Sequence, residues 1–296
     1  MGSPDFAVPT LHALAENFTV VGVITQPDRP AGRGRKMTPP PVKVLAAELG
    51  IPILQPPRLR KDPDALAQLS AWKPDVIAVA AFGQILKPDV LELPPHGCLN
   101  VHGSLLPRWR GAAPLNAAIL HGDSETGITI MKMDSGLDTG PMLSKRAIPI
   151  RAEDTAGSLS GKMADLGAAL LVETIPPYLR GEQIILPQED ALATYAPRLK
   201  KADGELDFNQ PAIILARQVR AYHPWPGTYF QWSGSPFKVH AAHPVGTYSP
   251  GIGILTRQGG LPAVGTSEGI LVIDQIQPAG KKSMTGDVFL RGAKNW

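Results

Sequence analysis

The chain has 296 residues, 43% of them hydrophobic and 19% charged, with a single cysteine and a formal net charge of +3. That size and apolar content can bury a sizeable core and favour two domains over one, which excludes an intrinsically disordered chain. No run approaches the roughly 18 consecutive apolar residues of a membrane-spanning helix, the opening MGSPDFAV lacks the parts of a signal peptide, and a lone Cys98 excludes an internal disulfide and a cysteine-rich zinc site. Cys98, inside GCLNV, reads as a small buried residue of a reduced, cytoplasmic protein.

GSPDF at residues 2–6 reads as the turn between a first strand and the helix FAVPTLHALAE, with no strand before it. A strand of about five to seven residues is therefore expected upstream in the full-length protein. TVVGVITQP (19–27), IPILQP (51–56), DVIAVAAF (75–82) and GCLNVH (97–102) are apolar runs bounded by turn residues, and PVKVLAAEL (41–49) and DPDALAQLSAW (62–72) between them are helix-like. Such alternation predicts an α/β, Rossmann-like domain with a largely parallel sheet. Residues 127–143 (GITIMKMDSGLDTGPML) predict two strands broken by a glycine- and aspartate-rich loop, followed by a helix around 154–181. The catalytic domain is accordingly expected over 1–181 and an irregular polar linker over 182–200. From 201 to 296 come one helix (209–221) and short runs such as TYFQW, FKVHAA, GIGILT and GILVIDQIQ, which predict a small OB-like β-barrel. That last stretch holds nine basic and six acidic residues, so it carries the whole net positive charge.

Asn100 and His102, two apart on a strand, project to one face. They read either as a hydrogen-bonded core pair or as the head of a ligand site, because the strand ends in the Gly/Pro-shaped loop GSLLPRWRG, where open α/β sheets place their ligands. DSGLDTG (134–140) is by itself an ordinary turn, with too few oxygen ligands in step for calcium. If it converges with the first loop, Asp138 completes a trio of amide, imidazole and carboxylate. Acyl transfer to an amine requires that set: the amide holds the developing oxyanion, the imidazole moves the proton and the carboxylate orients the imidazole. No serine, cysteine or lysine stands beside the trio as a nucleophile, so direct attack by the substrate is expected rather than an acyl-enzyme. The remaining histidines are scattered, and no metal site is expected.

The segment from Asp28 to Lys43 has five basic residues, Arg29, Arg33, Arg35, Lys36 and Lys43, against one acid. It reads as a solvated insertion or as a phosphate-binding loop. Lys281 and Lys282 read as a solvated turn or as contacts to a nucleic-acid backbone. Trp225, in HPWPG, reads as core packing ahead of base stacking.

NVHGSLLPRWRG with GITIMKMDSGLDTGPML resembles the folate-dependent formyltransferases, and TQPDRPAGRGRKMTPPPVK, AYHPWPGTYF and QPAGKKSM resemble the members of that family that act on methionyl-tRNA. The resemblance runs from residue 2 to the high 280s. It implies transfer of a formyl group from 10-formyltetrahydrofolate to the α-amine of methionine on initiator tRNA, by a monomer in the bacterial cytoplasm. It also implies that Asn100, His102 and Asp138 are catalytic, and that Ser104, Leu105, Leu106 and Pro107, with Phe82, Gly83 and Ile85, line the folate cleft. Arg29, Arg33, Arg35 and Lys36 become the loop that enters the tRNA acceptor end, with Arg33 the chief contact, and Lys281 and Lys282 become backbone contacts. The attacking amine must be neutral; a free α-amine has a pKa of about 7.7–8.0, and esterification lowers it, so no strong base is needed. A formyltransferase for small amines or a formyltetrahydrofolate hydrolase would need the trio and not the basic segments. An RNA-binding module would leave the trio without a purpose.

Overall fold

Short β-branched runs alternating with proline-started helices dictate the order of elements in the first half of the chain. The computed structural model describes residues 1–296 apart from Arg33, Arg35, Lys294 and Asn295. Helix α1 (Val8–Asn17) leads to β1 (Val23–Ile24), a hairpin of β2 (Arg29–Ala31) and β3 (Lys36–Thr38), α2 (Pro41–Glu48) and β4 (Ile53–Leu54). Then come α3 (Pro63–Ala71), β5 (Ile77–Val79), the short α4 (Pro88–Leu91), β6 (Cys98–His102) and β7 (Arg110–Gly111). Helices α1 to α4 each have proline in the first turn, where its missing N–H has no intrahelical partner to lose. Asp62 also caps α3 by accepting from the Ala65 N–H at 3.0 Å. After α5 (Pro114–His121), β8 (Glu125–Lys132) and β9 (Met142–Pro149) flank the 134–140 loop, and the long α6 (Ala156–Leu179) and the two-residue β10 (Tyr195–Ala196) follow.

Two compact units emerge: Met1–Gly111, Thr126–Ile148 and Ser160–Tyr195 form the first, and Ala112–Glu125, Pro149–Leu159 and Ala196–Trp296 the second. In the first, β1 pairs β4 in parallel and β5 pairs β6 in parallel, whereas β6 meets β8 antiparallel with Asn100 opposite Met131 and His102 opposite Thr129. The sheet is thus parallel on one side and antiparallel towards β9. Cys98 and Leu99 are fully buried and Val101 nearly so, as a strand covered on both faces requires. Gly167 on α6 makes that covering close: a Cβ there would stand 2.6 Å from Val101 Cγ1.

Met1 and Gly2 lie between β1 and β5. The Met1 amine donates to Ala78 O, the Ala80 N–H to Met1 O and the Gly2 N–H to Ile24 O. Beside them is a cavity of about 360 Å³ lined by Leu11, Leu14, Val21, Trp72, Ile77 and Ile175 among others. None of Asn100, His102 or Asp138 lines it, so this void is separate from the chemistry proposed below.

The second unit packs α5 beside α7 (Ala212–Ala221), with the Asn116 amide donating to Ala221 O at 2.6 Å. Strands β11 (Thr228–Trp232), β12 (Ser235–Val245), β13 (Leu255–Gln258), β14 (Leu261–Gly265), β15 (Ile270–Gln277) and β16 (Met284–Thr285) form one antiparallel sheet in the order β11-β12-β15-β14-β13, with β16 on β15. Its core is aromatic: Phe230, Trp232, Phe237, Phe289 and Trp296 meet with ring centroids 5.1–6.4 Å apart. Phe289 sits on a second helix, α8 (Gly286–Gly292), where the sequence pattern predicts none. Trp225 departs from its expected place in the core: it is 56% exposed, and the interior is filled by the phenylalanines instead.

Cys98 is 0% exposed, and burial pushes its thiol up to about 11 from an ordinary value of 9.0. The thiolate is the reactive species, so alkylation of the native protein by iodoacetamide at pH 8 should be at least about tenfold slower than in denaturant. Equal native and denatured rates would contradict this placement.

Candidate active site

The C-terminal end of β6 presents Asn100 and His102 to the same side, as the two-residue strand period demands. His102 is 5% exposed, and its Nε2 lies 3.0 Å from the carbonyl oxygen of Trp109. A carbonyl only accepts, so Nε2 carries the hydrogen and the neutral ring has its lone pair on Nδ1. Nδ1 faces Asp138 Oδ2 at 3.7 Å, within reach of an ion pair and too far for a direct hydrogen bond.

Asp138 reaches this position through an unusual backbone. Its φ of +53° is left-handed, and its Oδ2 accepts from the Gly111 N–H at 2.8 Å. Asp134 organises the start of the loop, accepting from the Gly136 N–H at 3.0 Å and from the Thr139 hydroxyl at 2.7 Å. At the other end a Cβ on Gly140 would fall 1.9 Å from Lys132 O, so only glycine lets the loop return against β8.

The loop after β6 is held from below. Thr129 on β8 donates to Ser104 O at 2.7 Å and accepts from the Leu106 N–H at 3.0 Å, while Ser104 Oγ donates to Arg108 O at 2.6 Å. Ser104 and Leu106 are both 0% exposed, and Leu106 packs on Met131 and Met142. Their side chains support the loop, and only Leu105 and Pro107 of that tetrapeptide are partly exposed. Phe82 is likewise buried, 2% exposed in the core with Ile24, Ile77 and Val79. Gly83, at φ +75°, and Ile85, 78% exposed, do face outward.

Of the basic segment, Arg29 and Lys36 are exposed on the β2–β3 hairpin, in which Ala31 pairs with Lys36 and Arg29 with Thr38. Arg29 also donates to Gln26 Oε1 at 3.0 Å. Arg33 and Arg35 lie outside the described residues. Lys43 pairs with Asp28, 2.8 Å distant; hydrogen bonds from Gln55 and then Lys43 hold the Asp28 carboxyl below its ordinary value. Lys281 and Lys282, on the second unit, are exposed in the turn between β15 and β16. Among the described residues no cluster of three or more His, Cys, Asp or Glu could hold a metal ion.

Sequence reasoning passed over Arg110, Thr129, Gln188 and Thr194. Arg110 is 1% exposed and bonds Gln188 and Asp190, and Thr194 Oγ1 accepts from the Trp109 N–H at 2.9 Å. Nothing local marks these residues, because their partners lie between 23 and 85 positions away in the chain.

Asn100 and His102 thus stand at the end of one strand, with the carboxylate of Asp138 3.7 Å from the imidazole. The formyl transferase family model matches residues 2–175, and that for the formyl transferase C-terminal domain matches residues 198–294. The chain is 46% identical to the methionyl-tRNA formyltransferase of Halalkalibacterium halodurans, covering 99% of this chain and 93% of the relative, and 48% identical to that of Myxococcus xanthus, covering 99% and 94%. Among solved structures, a sugar 3N-formyltransferase determined with dTDP and 5-N-formyl-tetrahydrofolate superposes with a TM-score of 0.69 at 20% identity, covering 95% of this chain and 97% of the other, a likeness of fold. The chain belongs to the methionyl-tRNA formyltransferase family.

The Trp109 contact makes a direct prediction about the ring. In nitrogen-15 NMR of the neutral protein, His102 should be the Nε2–H tautomer; a signal from the Nδ1–H tautomer would overturn the assignment of Nδ1 as the open nitrogen.

Proposed function

We propose that this protein transfers the formyl group of 10-formyltetrahydrofolate to the α-amine of methionine on initiator tRNA, producing N-formylmethionyl-tRNA for translation initiation. In this reading residues 1–181 are the catalytic domain, 182–200 the linker and 201–296 a small OB-like barrel that contacts tRNA. We infer a monomer acting in the bacterial cytoplasm, where reduced folate and charged tRNA are present. The observation that carries the reading is His102, with Nε2 committed to Trp109 O and Nδ1 open towards Asp138.

The folate supplies the formyl group on N10. The amine lone pair forms the new bond to the formyl carbon, the bond from that carbon to N10 breaks, and the proton lost by the amine ends on N10. Asn100 donates its amide to the formyl oxygen as that atom gains charge. His102 Nδ1 takes the proton from the attacking amine and returns it to the leaving nitrogen, and Asp138 stabilises the ring while it is charged. No side chain is acylated. The outward-facing apolar groups fit a large flat donor: Ile85 is 78% exposed and Leu137, next to Asp138, is 60% exposed, so both are available for burial by a ligand. Leu105, Pro107 and Gly83 join them as folate contacts, with Ser104, Leu106 and Phe82 acting through the backbone they hold in place.

Arg29, Arg33, Arg35 and Lys36 grip the phosphates of the acceptor end, and Lys281 and Lys282 contact the tRNA backbone. Such contacts position the substrate without reading its sequence.

The test is whether formylmethionyl-tRNA forms when the protein meets 10-formyltetrahydrofolate and charged initiator tRNA. Activity confined to free amino sugars would replace this reading with the small-molecule one. His102→Ala and Asn100→Ala should each lower turnover about a hundredfold or more with tRNA affinity within about twofold. Parallel losses in binding and turnover would mark the pair as structural. Replacing Arg29 and Lys36 together by Ala should raise the KM for tRNA about tenfold and flatten the salt dependence of tRNA binding by about one unit of slope per lost contact, with folate KM unchanged. An unchanged slope would return the hairpin to the role of a solvated insertion.

A further inference from the structure

Asp138 is held from two directions, and only one of them is its own carboxylate. The side-chain amide of Gln188 donates both hydrogens to the loop, to Asp138 O at 2.7 Å and to Gly140 O at 2.7 Å. With Nε2 so used, Oε1 must face the other way, where it accepts from Arg110 Nε at 2.9 Å. Arg110 in turn donates to Asp190 Oδ1 at 2.8 Å, and its own N–H donates to Thr194 O at 2.8 Å. Burial works against the charge of this guanidinium, and hydrogen bonds with Asp190 and Tyr195 more than offset that, holding it above its ordinary pKa. A buried arginine with fixed partners is a rigid post, and Gln188 is the link from that post to the loop.

The two carbonyls that Gln188 engages are that of the left-handed residue itself and that of Gly140, two positions further on. A non-glycine at φ +53° persists only where its surroundings hold it there. The Gly111 N–H fixes one end of the Asp138 side chain, and the Gln188 amide fixes the backbone from which that side chain departs. Without the second anchor the peptide can relax towards an ordinary conformation and carry the carboxylate away from Nδ1.

We propose that Gln188 is a positioning residue for formyl transfer: it holds the turn at Asp138 and thereby sets the gap between the carboxylate and His102 Nδ1. The proposal rests on the reading of Asp138 as a member of the catalytic trio. It gives the segment after α6 a part in catalysis through the backbone of the Asp138 turn.

Gln188→Ala removes both donors. It should lower kcat about ten- to a hundredfold, since displacement of a catalytic group by about an ångström costs that much, while KM for folate and for methionyl-tRNA stays within about twofold. The readout that a merely structural role would not move is the double variant: on an Asp138→Asn background the Gln188→Ala change should slow turnover by less than about twofold, because the group it positions is already disabled. Gln188→Glu keeps an oxygen for Arg110 and lacks the donors, so it should lose kcat as Gln188→Ala does. It supplies the answer if the alanine variant fails to fold. Parental kcat in either folded variant, or losses that multiply in the double variant, would overturn the proposal. Parental turnover in Asp138→Asn alone would instead remove the reading of the trio, and this proposal with it.

Discussion

The carbonyl oxygen of Trp109 accepts the Nε2–H of His102 at 3.0 Å, and because a carbonyl has no proton to give, this single bond decides which nitrogen of the ring is open. Everything else around the site maintains that bond. Trp109 has a left-handed φ of +62°, and its N–H donates to Thr194, so the peptide that presents the carbonyl is itself tied down. Ser104 and Thr129 hold the preceding turn, with Thr129 donating and accepting at once. The polar groups buried beneath the loop are paired, and they fix its shape where water would leave it free.

Under the proposed mechanism, a 3.7 Å separation between His102 Nδ1 and Asp138 Oδ2 suits a relay better than a tight ion pair would. A carboxylate hydrogen-bonded to Nδ1 would occupy the position that the mechanism reserves for the attacking amine. Held slightly back by the Gly111 N–H, it can still stabilise the charged ring, since attraction between charges falls slowly with distance in a site shielded from solvent. Two residues with left-handed backbones, Trp109 and Asp138, stand on the two loops that meet at the imidazole. Strain concentrated at a site and opposed by surrounding hydrogen bonds is a common way to aim side chains.

The elements that form the site were legible in the sequence to the extent that they are local. CLNVH reads as a buried strand from its apolar run, and DSGLDTG reads as a turn because aspartate and glycine at those spacings make Asx turns and left-handed residues. Both readings correspond to β6 and to the loop after β8. Side-chain direction in loops was less accessible. Ser104, Leu106 and Phe82 point inward, because a loop at a strand end must bury some of its own side chains to be stable there. Trp225 errs the other way, exposed where its apolar bulk alone suggested the core. The 182–200 stretch reads as irregular and polar, which is correct as composition and silent about contact: Gln188, Asp190 and Thr194 brace residues 109–110 and 138–140.

What the sequence determined by itself is the alternation of strands and helices around the first sheet, the strand end that carries Asn100 and His102, and the loop that carries Asp138. Periodicity and turn chemistry act over a few residues, so these features are written into short stretches of chain. What only the tertiary structure decided is the tautomer of His102, the 3.7 Å gap to Asp138, and the brace from Arg110 through Gln188. Each depends on groups separated by between seven and about eighty positions, and the burial that makes such hydrogen bonds decisive exists only once the sheet has closed over them.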